Sequence, residues 1–227
     1  EYPADRTAPH RFVQADLADR RAIDELLQNA DLIVHCASIH PWKPYTDDQY
    51  LDANIKATWH LYAAAAEQGI ERVVLTSSIA AVGYPVSPEH WPVTEDYQGV
   101  PGDLYSLTKH AQETVARQFA TQSRVRTIAL RPPAFMPRPE LETAFGLLGA
   151  FARVDDMVSA HLSAVRVLTG HQPAPEPLQP FEPFFCTLPL PYTAAEGREF
   201  GGRIPLDLAR RYWPQAADWL AERGFQG

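Results

Sequence analysis

Short apolar runs alternate with amphipathic segments along the 227 residues of this chain. Residues 31–37, 72–77 and 126–130 each contain a run of three consecutive apolar residues, which is typical of strands buried on both faces of a parallel sheet. A shorter strand is predicted at 11–15. Segments with apolar residues at helical spacing separate these runs. The alternation of strands and helices predicts an α/β fold with a doubly wound parallel sheet.

Capping residues mark several predicted helix boundaries. Residues 46–49 have the form of a capping box and predict the start of a helix that continues to Gln68, before a terminating glycine. Asp103 is a predicted N-cap, and another helix is predicted over 154–168. The apolar stripe of the helix after Asp103 is predicted to contain Leu104, Ala111, Val115 and Phe119.

After Pro132 the pattern becomes less regular and richer in proline, with a strand predicted at 181–188 and an amphipathic helix near the end of the sequence. We interpret the chain as a single domain with a sheet-forming core and a small C-terminal lobe. The core comprises 11–131 and 154–170, and the lobe comprises 132–153 and 171–227.

Composition and charge narrow the classes of partner. The net charge is −8 and no basic run is present, so we expect neither nucleic acid nor an anionic membrane as a partner. No apolar run is long enough to cross a bilayer, and no signal peptide is visible. The two cysteines, Cys36 and Cys186, do not form a disulfide framework. A reducing, cytoplasmic location is therefore expected.

Tyr105 and Lys109 are four residues apart on a predicted helix and share one of its faces. A free phenol has a pKa of about 10, which is too high for ready proton exchange near neutral pH. A fixed ammonium group beside it favours the phenolate and lowers that pKa. Ser78 follows a predicted strand, and open α/β sheets bind ligands where their strands end. The serine and the tyrosine are therefore predicted to meet over one substrate.

Several further motifs agree in order and spacing with one family. Together they resemble the extended short-chain dehydrogenases/reductases, also called the NAD-dependent epimerase/dehydratase family, over nearly all of residues 11–168. The matching segments are Asp16-Leu17, His35-Cys36-Ala37-Ser38, the helix around Asn54, the strand end around Ser78, Tyr105 with Lys109, Arg131-Pro132-Pro133 and Val154-Asp155-Asp156-Met157.

The resemblance implies a Rossmann-like fold with a small substrate-binding lobe, and NAD or NADP as cofactor. It implies that Tyr105 exchanges a proton with a substrate oxygen, that Ser78 hydrogen-bonds the same oxygen, and that Lys109 lowers the tyrosine pKa and holds the nicotinamide ribose. The residues implied in cofactor binding are Asp16, Leu17, Cys36, Ala37, Ser38, Asn54, Tyr105, Lys109, Pro132 and Pro133.

Some of these residues also have a purely structural interpretation. Asp16 can cap the helix that follows it, and Asn54 can hydrogen-bond neighbouring backbone. Asp155 or Asp156 is interpreted as an N-cap rather than as a catalytic acid.

His40 and Trp42 lie in the loop after a predicted strand, and we expect them to line the substrate pocket together with Ser78. His35, Cys36 and His40 also suggest metal ligands. Neighbouring residues of a strand point to opposite sides, however, so His35 and Cys36 are not expected to bind one ion, and no metal site is predicted.

The largest departure from the family is the lack of a G-x-G-x-x-G phosphate loop in this sequence. We expect the chain to be a fragment of a protein that has this loop, because a βαβ unit takes roughly 30 residues or more. The alternative is a degenerate member that no longer binds a dinucleotide. In the family, a residue at the end of the second strand is acidic in NAD enzymes and basic in NADP enzymes. That residue is not in this sequence, so the choice between NAD and NADP stays open.

Two other departures narrow the chemistry. Dehydratases of the family carry an Asp-Glu pair after the catalytic serine or threonine, whereas this chain has Ile79 and Ala80, so dehydration by that route is not expected. The segment between Pro133 and Val154 is short compared with that of members that grip a nucleotide-sugar. A smaller sugar, sugar acid or other hydroxy or keto compound is therefore the expected substrate.

The leading hypothesis is an NAD(P)-dependent oxidoreductase that acts on a secondary alcohol or ketone. An epimerase, which returns the hydride to the other face, and a non-catalytic dinucleotide-binding module are the alternatives. A serine hydrolase is not supported, since the sequence has no G-x-S-x-G motif. Many relatives pair through the helices that correspond to those of Tyr105 and Asn54, so the resemblance also implies a homodimer.

Overall fold

A four-stranded parallel sheet is the centre of the computed structural model, which describes residues 12–83, 90, 92–137, 151–174, 176–187, 192–200 and 206–224. The strands are β1 (Ile33–His35), β2 (Arg72–Thr76), β3 (Arg126–Arg131) and β4 (Phe181–Phe185), in the spatial order β1-β2-β3-β4. The helices are α1 (Arg20–Leu26), α2 (Asp47–Tyr50), α3 (Ala57–Gln68), α4 (Leu104–Gln122), α5 (Val154–Leu168), α6 (Ala194–Phe200), α7 (Leu206–Tyr212) and α8 (Pro214–Glu222).

Helices cover both faces of this sheet. Val73 and Leu75 of β2 pack in a core cluster with residues of α1, α3 and α4, whereas Val74 packs with Ala164 of α5. Side chains alternate between the two faces along a strand, so both sets are apolar and the strand reads as one apolar run. The predicted doubly wound parallel sheet is confirmed.

The long helical run before β2 begins and ends where the sequence predicts. Thr46 Oγ1 accepts the Gln49 N–H at 3.3 Å, and the Gln49 side chain accepts the Thr46 N–H at 2.9 Å. Gly69 adopts a φ of 76° and ends the run. Between α2 and α3 lies a π-helical segment, Leu51–Lys56. No helix in the described ranges has the length and apolar character needed to span a membrane.

The helix that carries Tyr105 also begins as predicted, because Asp103 Oδ1 accepts the Ser106 N–H at 2.7 Å. Its buried face differs from the prediction. Of the four residues of the predicted apolar stripe, only Phe119 is buried, while the other three are half-buried. The polar or charged residues that this face buries are Ser106, Thr108, Lys109, Gln112 and Glu113.

Of two strand predictions near the start of the chain, the first is wrong and the second is confirmed only in part. Residues 12–15 form no strand, because a strand needs a neighbour to hydrogen-bond and no described strand lies beside them. β1 covers only three residues, and Val34 is 44% exposed, so this strand is buried on one face only. β1 is an edge strand among the described residues, paired with β2 alone. The strand predicted at 181–188 ends at Phe185, and residue 188 lies outside the described residues.

Candidate active site

Ser78 and Tyr105 lie together where β2 ends. Ser78 follows this strand after one residue and is the N-cap of a short 3₁₀ helix, Ile79–Val82, with its Oγ accepting the Ala80 N–H at 3.1 Å. Tyr105 is in the first turn of α4, and its hydroxyl hydrogen-bonds the Ser78 side chain. The structure therefore brings together the two hydroxyl groups that the sequence analysis selected.

Lys109 lies one turn further along α4 and is also part of this group. Its Nζ donates a hydrogen bond of 3.0 Å to the carbonyl oxygen of Thr76 and lies 5.9 Å from the centre of the Tyr105 ring. Burial lowers the pKa of Lys109 to about 8, although the Cys36 and Glu113 side chains act in the opposite direction. This ammonium group is held in place by the end of β2.

The expected effect of Lys109 on Tyr105 is not seen. The pKa of Tyr105 is raised above its ordinary value, chiefly because burial disfavours the phenolate. The hydrogen bond from Ser78 lowers it, and the Asp103 charge raises it further. The prediction that the neighbouring ammonium lowers the tyrosine pKa is therefore wrong for this arrangement, since desolvation outweighs the other contributions.

His40 and Trp42 lie near the tyrosine, and their role as pocket residues stays a prediction. The His40 ring is 4.7 Å from that of Tyr105 and 4.2 Å from that of Trp42, which is exposed. Burial, followed by the charge of Lys109, lowers the pKa of His40, so this imidazole is neutral at pH 7. Its Nδ1 is buried without a hydrogen-bond partner among the described residues. A polar group of a ligand at this position could form a hydrogen bond with His40 Nδ1.

Asn54 holds the loop that carries His40. Its Oδ1 accepts the Ile39 N–H at 2.7 Å, and its Nδ2 donates to the Ile39 carbonyl at 3.1 Å and to Thr108 Oγ1 at 2.9 Å. The asparagine is fully buried. The amide is enclosed and both its N–H groups are used, which agrees with the structural interpretation of Asn54. Its direct contact with the cofactor stays a prediction.

A second buried network fixes the protonation of His35. The Thr58 hydroxyl donates to the Asn54 carbonyl at 2.6 Å, so its oxygen can only accept from Gln112 Nε2 at 2.8 Å and from His35 Nε2 at 2.9 Å. Nε2 of His35 therefore carries a proton. Burial, with a smaller effect of Lys109, lowers the pKa of His35 to about 4, so the ring is neutral at pH 7.

A buried ion pair beneath the site was not anticipated from the sequence. Arg131, the last residue of β3, donates from Nε to Glu113 Oε1 at 2.9 Å and from Nη2 to Oε2 at 2.8 Å. Ser77 Oγ donates to the same carboxylate at 2.6 Å. Glu113 lies four residues after Lys109 and eight after Tyr105, hence on the same face of α4. That spacing is the signal that could have identified it.

The first pair of predicted cofactor residues lies apart from this cluster. Asp16 is exposed, and its Oδ1 accepts the Ala18 N–H at 2.9 Å. The N-cap of α1 is Asp19 rather than Asp16. Leu17 packs against the main core cluster. In the described residues no hydrogen bond or ion pair joins Asp16 to the groups around Tyr105, so its cofactor role stays a prediction.

The other predicted cofactor residues lie at the ends of β1 and β3. Ala37 is exposed, and Ser38 Oγ is buried without a hydrogen-bond partner in the described part of the chain. Pro132 and Pro133 are buried, and the Pro132 carbonyl accepts the Ile79 N–H at 3.0 Å. An unpaired hydroxyl and the Lys109 ammonium, which uses one donor on Thr76, fit the polar ribose and amide groups of a nicotinamide nucleotide.

His35 and Cys36 diverge as expected for adjacent strand residues, since His35 is buried and Cys36 is exposed. Across the described ranges, no group of three or more histidine, cysteine, aspartate or glutamate side chains is arranged to hold a metal ion.

Comparisons with known proteins identify the family of this chain and several relatives. The NAD dependent epimerase/dehydratase family matches residues 1–138. The uronate dehydrogenase of Agrobacterium fabrum is 32% identical over 151 residues, which are 65% of this chain and 53% of that protein. An N-acetyl-α-D-glucosaminyl-diphospho-ditrans,octacis-undecaprenol 4-epimerase of Escherichia coli O157:H7 is 28% identical over 60% of this chain and 41% of its own. This chain thus spans about half the length of the curated relatives it matches.

One solved structure links the fold to a cofactor. A uronate dehydrogenase variant from Agrobacterium tumefaciens, in complex with NAD, has a TM-score of 0.64 and 25% identity, with 90% of this chain and 73% of that chain covered. The chain therefore shares its fold with a protein whose structure contains NAD.

Proposed function

Because the chain belongs to the NAD dependent epimerase/dehydratase family, we propose that it is an NAD-dependent oxidoreductase acting on a secondary alcohol or ketone of a small sugar acid. The observation that carries the proposal is the hydrogen bond between Ser78 and Tyr105, with the Lys109 ammonium fixed one turn away. The substrate class comes from the relatives named uronate dehydrogenases. It also fits the expectation of a substrate without a nucleotide handle.

In this proposal Tyr105 exchanges a proton with the substrate oxygen. Ser78 hydrogen-bonds the same oxygen and stabilises the charge that develops there. The raised pKa of Tyr105 means that the hydroxyl is protonated at neutral pH and available as a donor in the reducing direction. In the oxidising direction Tyr105 must lose its proton, and the hydrogen bond with Ser78 favours the phenolate. When bound, the nicotinamide supplies or takes up the hydride.

His40, Trp42 and Ser38 complete the proposed pocket. The unpartnered Nδ1 of His40 is placed to hydrogen-bond a substrate hydroxyl or carboxylate, in the tautomer that donates from this atom. The exposed Trp42 ring offers an apolar surface to the face of a sugar. Ser38 Oγ is proposed to bind the cofactor. The segments that carry these groups all leave the end of β1.

The test is Tyr105→Phe in the full-length protein, with NAD and NADP binding followed by calorimetry and turnover followed by absorbance of the reduced nicotinamide on a panel of uronic acids. We expect kcat to fall about 10²–10⁴-fold, the usual contribution of a general acid or base, with little change in cofactor affinity. Tyr62→Phe is the matched control, because it removes a buried hydroxyl bonded to Thr127 in the core. Unchanged turnover in Tyr105→Phe would contradict the catalytic role of Tyr105, and no turnover by the unmodified protein would favour a non-catalytic binding module.

An epimerase is the second candidate, and the similarity to an undecaprenol-linked sugar 4-epimerase favours it. The same Tyr105 and Ser78 would serve both reactions. In an epimerase the hydride returns to the substrate, so no reduced nicotinamide accumulates while a new epimer appears. Net reduction of NAD on the uronic acid panel would exclude this candidate.

We also propose a homodimer through the helices of Tyr105 and Asn54. Leu51, Trp59 and Leu107 are large apolar residues that these helices leave exposed. Sedimentation analysis of Leu107→Glu should show a shift to monomer, and an unchanged sedimentation coefficient would contradict the proposal.

A further inference from the structure

A second cluster of polar side chains lies at the ends of β1 and β2 and is not used by the proposed reaction. Thr76 Oγ1 is 3.2 Å from the sulfur of Cys36 and 2.7 Å from Nε2 of His161 on α5. Nδ1 of His161 is 2.7 Å from the carbonyl oxygen of Met157. Cys36 is exposed, so this cluster is open to small molecules.

The contacts define how protons can be arranged in the cluster. The Met157 carbonyl can only accept, so Nδ1 of His161 is a donor. If the Thr76 hydroxyl donates to the sulfur of Cys36, Nε2 of His161 must donate to the Thr76 oxygen. Both ring nitrogens are then protonated. In that arrangement the hydroxyl of Thr76 connects a thiolate at Cys36 to an imidazolium at His161.

The hydrogen bond between the two side chains and the charges nearby both favour that arrangement. His161 lowers the pKa of the Cys36 thiol, and Thr76 and the Lys109 ammonium act in the same direction, against the effect of burial. The pKa of His161 is raised, chiefly by Cys36. Cys186 provides a contrast within the same chain, because burial raises its pKa to about 11.

We propose that Cys36, with Thr76 and His161, is a modification site: a nucleophilic thiol that hydrogen peroxide oxidises to a sulfenic acid. The sulfur attacks one peroxide oxygen, so an S–O bond forms and the O–O bond breaks. The departing hydroxide takes a proton that His161 passes through Thr76, and leaves as water. The sulfur loses two electrons, and the peroxide gains them.

The position of Cys36 gives this modification a consequence for the cofactor, a step that rests on the proposed function. Cys36 precedes Ala37 and Ser38, the residues proposed to lie along the nicotinamide nucleotide. An added oxygen would stand in the space that the cofactor uses. Oxidation of Cys36 should therefore weaken NAD binding, and bound NAD should slow the oxidation.

The test is oxidation of the full-length protein at pH 7 with hydrogen peroxide, trapping with dimedone, and peptide mapping of both cysteines. The Cys36 adduct should form at least about tenfold faster than the Cys186 adduct, since the thiolate is the reactive form. In His161→Gln the rate at Cys36 should fall towards that of an ordinary thiol. Equal rates at the two cysteines, or an unchanged rate in His161→Gln, would overturn the proposal.

A second measurement separates reactivity from folding and from the cofactor. The pH midpoint of iodoacetamide alkylation at Cys36 should lie below about 8.5, the value of a free thiol, and should rise in Thr76→Val and His161→Gln. If a variant does not fold, the comparison of Cys36 with Cys186 in the wild type decides alone. If the unmodified protein binds no NAD, the proposed function fails while both labelling experiments still test Cys36.

Discussion

Replacement of Glu113 by glutamine removes one charge from the ion pair beneath the site. The Arg131 and Glu113 side chains are only 3% and 4% exposed, and two hydrogen bonds of 2.9 and 2.8 Å join them. Glutamine keeps the size of the side chain, and its oxygen can still accept one hydrogen bond. The guanidinium group of Arg131 would nevertheless remain buried without a counter-charge.

The expected loss follows from this geometry. Breaking a buried ion pair by removal of one partner costs about 3–5 kcal/mol, because the remaining charge is desolvated and uncompensated. The Ser77 hydroxyl also donates to the lost carboxylate at 2.6 Å, so the upper part of that range is expected. A domain is typically stable by about 5–15 kcal/mol, so Glu113→Gln should remove a large fraction of the folding free energy.

Urea unfolding monitored by circular dichroism measures this loss. Glu25→Gln is the matched control, because Glu25 pairs with Arg21 at 3.3 Å while both side chains are largely exposed, at 65% and 88%. Such pairs contribute about 0.3–0.5 kcal/mol. Similar losses in the two variants would refute the assignment of a desolvated charge. The double variant Glu113→Leu with Arg131→Met should recover most of the stability, since hydrophobic replacements of a buried pair are often neutral or stabilising.

Three other predictions concern the backbone and the buried polar networks. Urea unfolding should show that Gly83→Ala lowers the free energy of unfolding more than Gly69→Ala does. Both glycines have a positive φ, which costs roughly 1–2 kcal/mol for a residue with a side chain. A Cβ at Gly83 would also lie 2.6 Å from backbone atoms, whereas a Cβ at Gly69 would meet no atom within 4 Å. The pKa of His35 is about 4 in the folded state, below its value of about 6.5 in the unfolded state. Between these two values the unfolded state binds more protons, so the free energy of unfolding falls as the pH drops from about 6.5 to 4. His35→Gln should lose this part of the pH dependence, and parallel curves for the two proteins would contradict it. Asn54→Ala should lower the free energy of unfolding by roughly 2 kcal/mol or more, because the backbone groups of Ile39 lose their partners. The variant should also raise the KM for substrate, and an unchanged KM would argue against a role of Asn54 in holding the His40 loop.

The parts of the structure that depend on local chemistry could be predicted from the sequence. The capping box at Thr46, the glycine at 69 and the N-cap at Asp103 each act within a few residues, and all lie where expected. The meeting of Ser78 and Tyr105 was also predictable, because a parallel sheet places successive strand ends at one edge.

The features that depend on distant partners could not be derived in the same way. Residues 12–15 have a strand-like pattern, but a strand exists only with a neighbour to pair with. The raised pKa of Tyr105 reflects how deeply the packed chain buries the phenol, which the i to i+4 spacing to Lys109 does not reveal. The ion pair of Glu113 and Arg131 joins a helix to a strand end, and the motif that contains Arg131 does not indicate its partner.

The position of Asn54 depends on the number of residues in the π-helical segment Leu51–Lys56 as well as on their identity. A π-helical turn holds one more residue than an α-helical turn, and the N–H of Ala57 bonds the carbonyl of Asp52 accordingly. Deletion of a single residue here would let the segment close into a regular α-helix and would disturb the position from which Asn54 bonds Ile39. Relatives that are one residue shorter in this segment would have to anchor the loop of Ile39 by another contact.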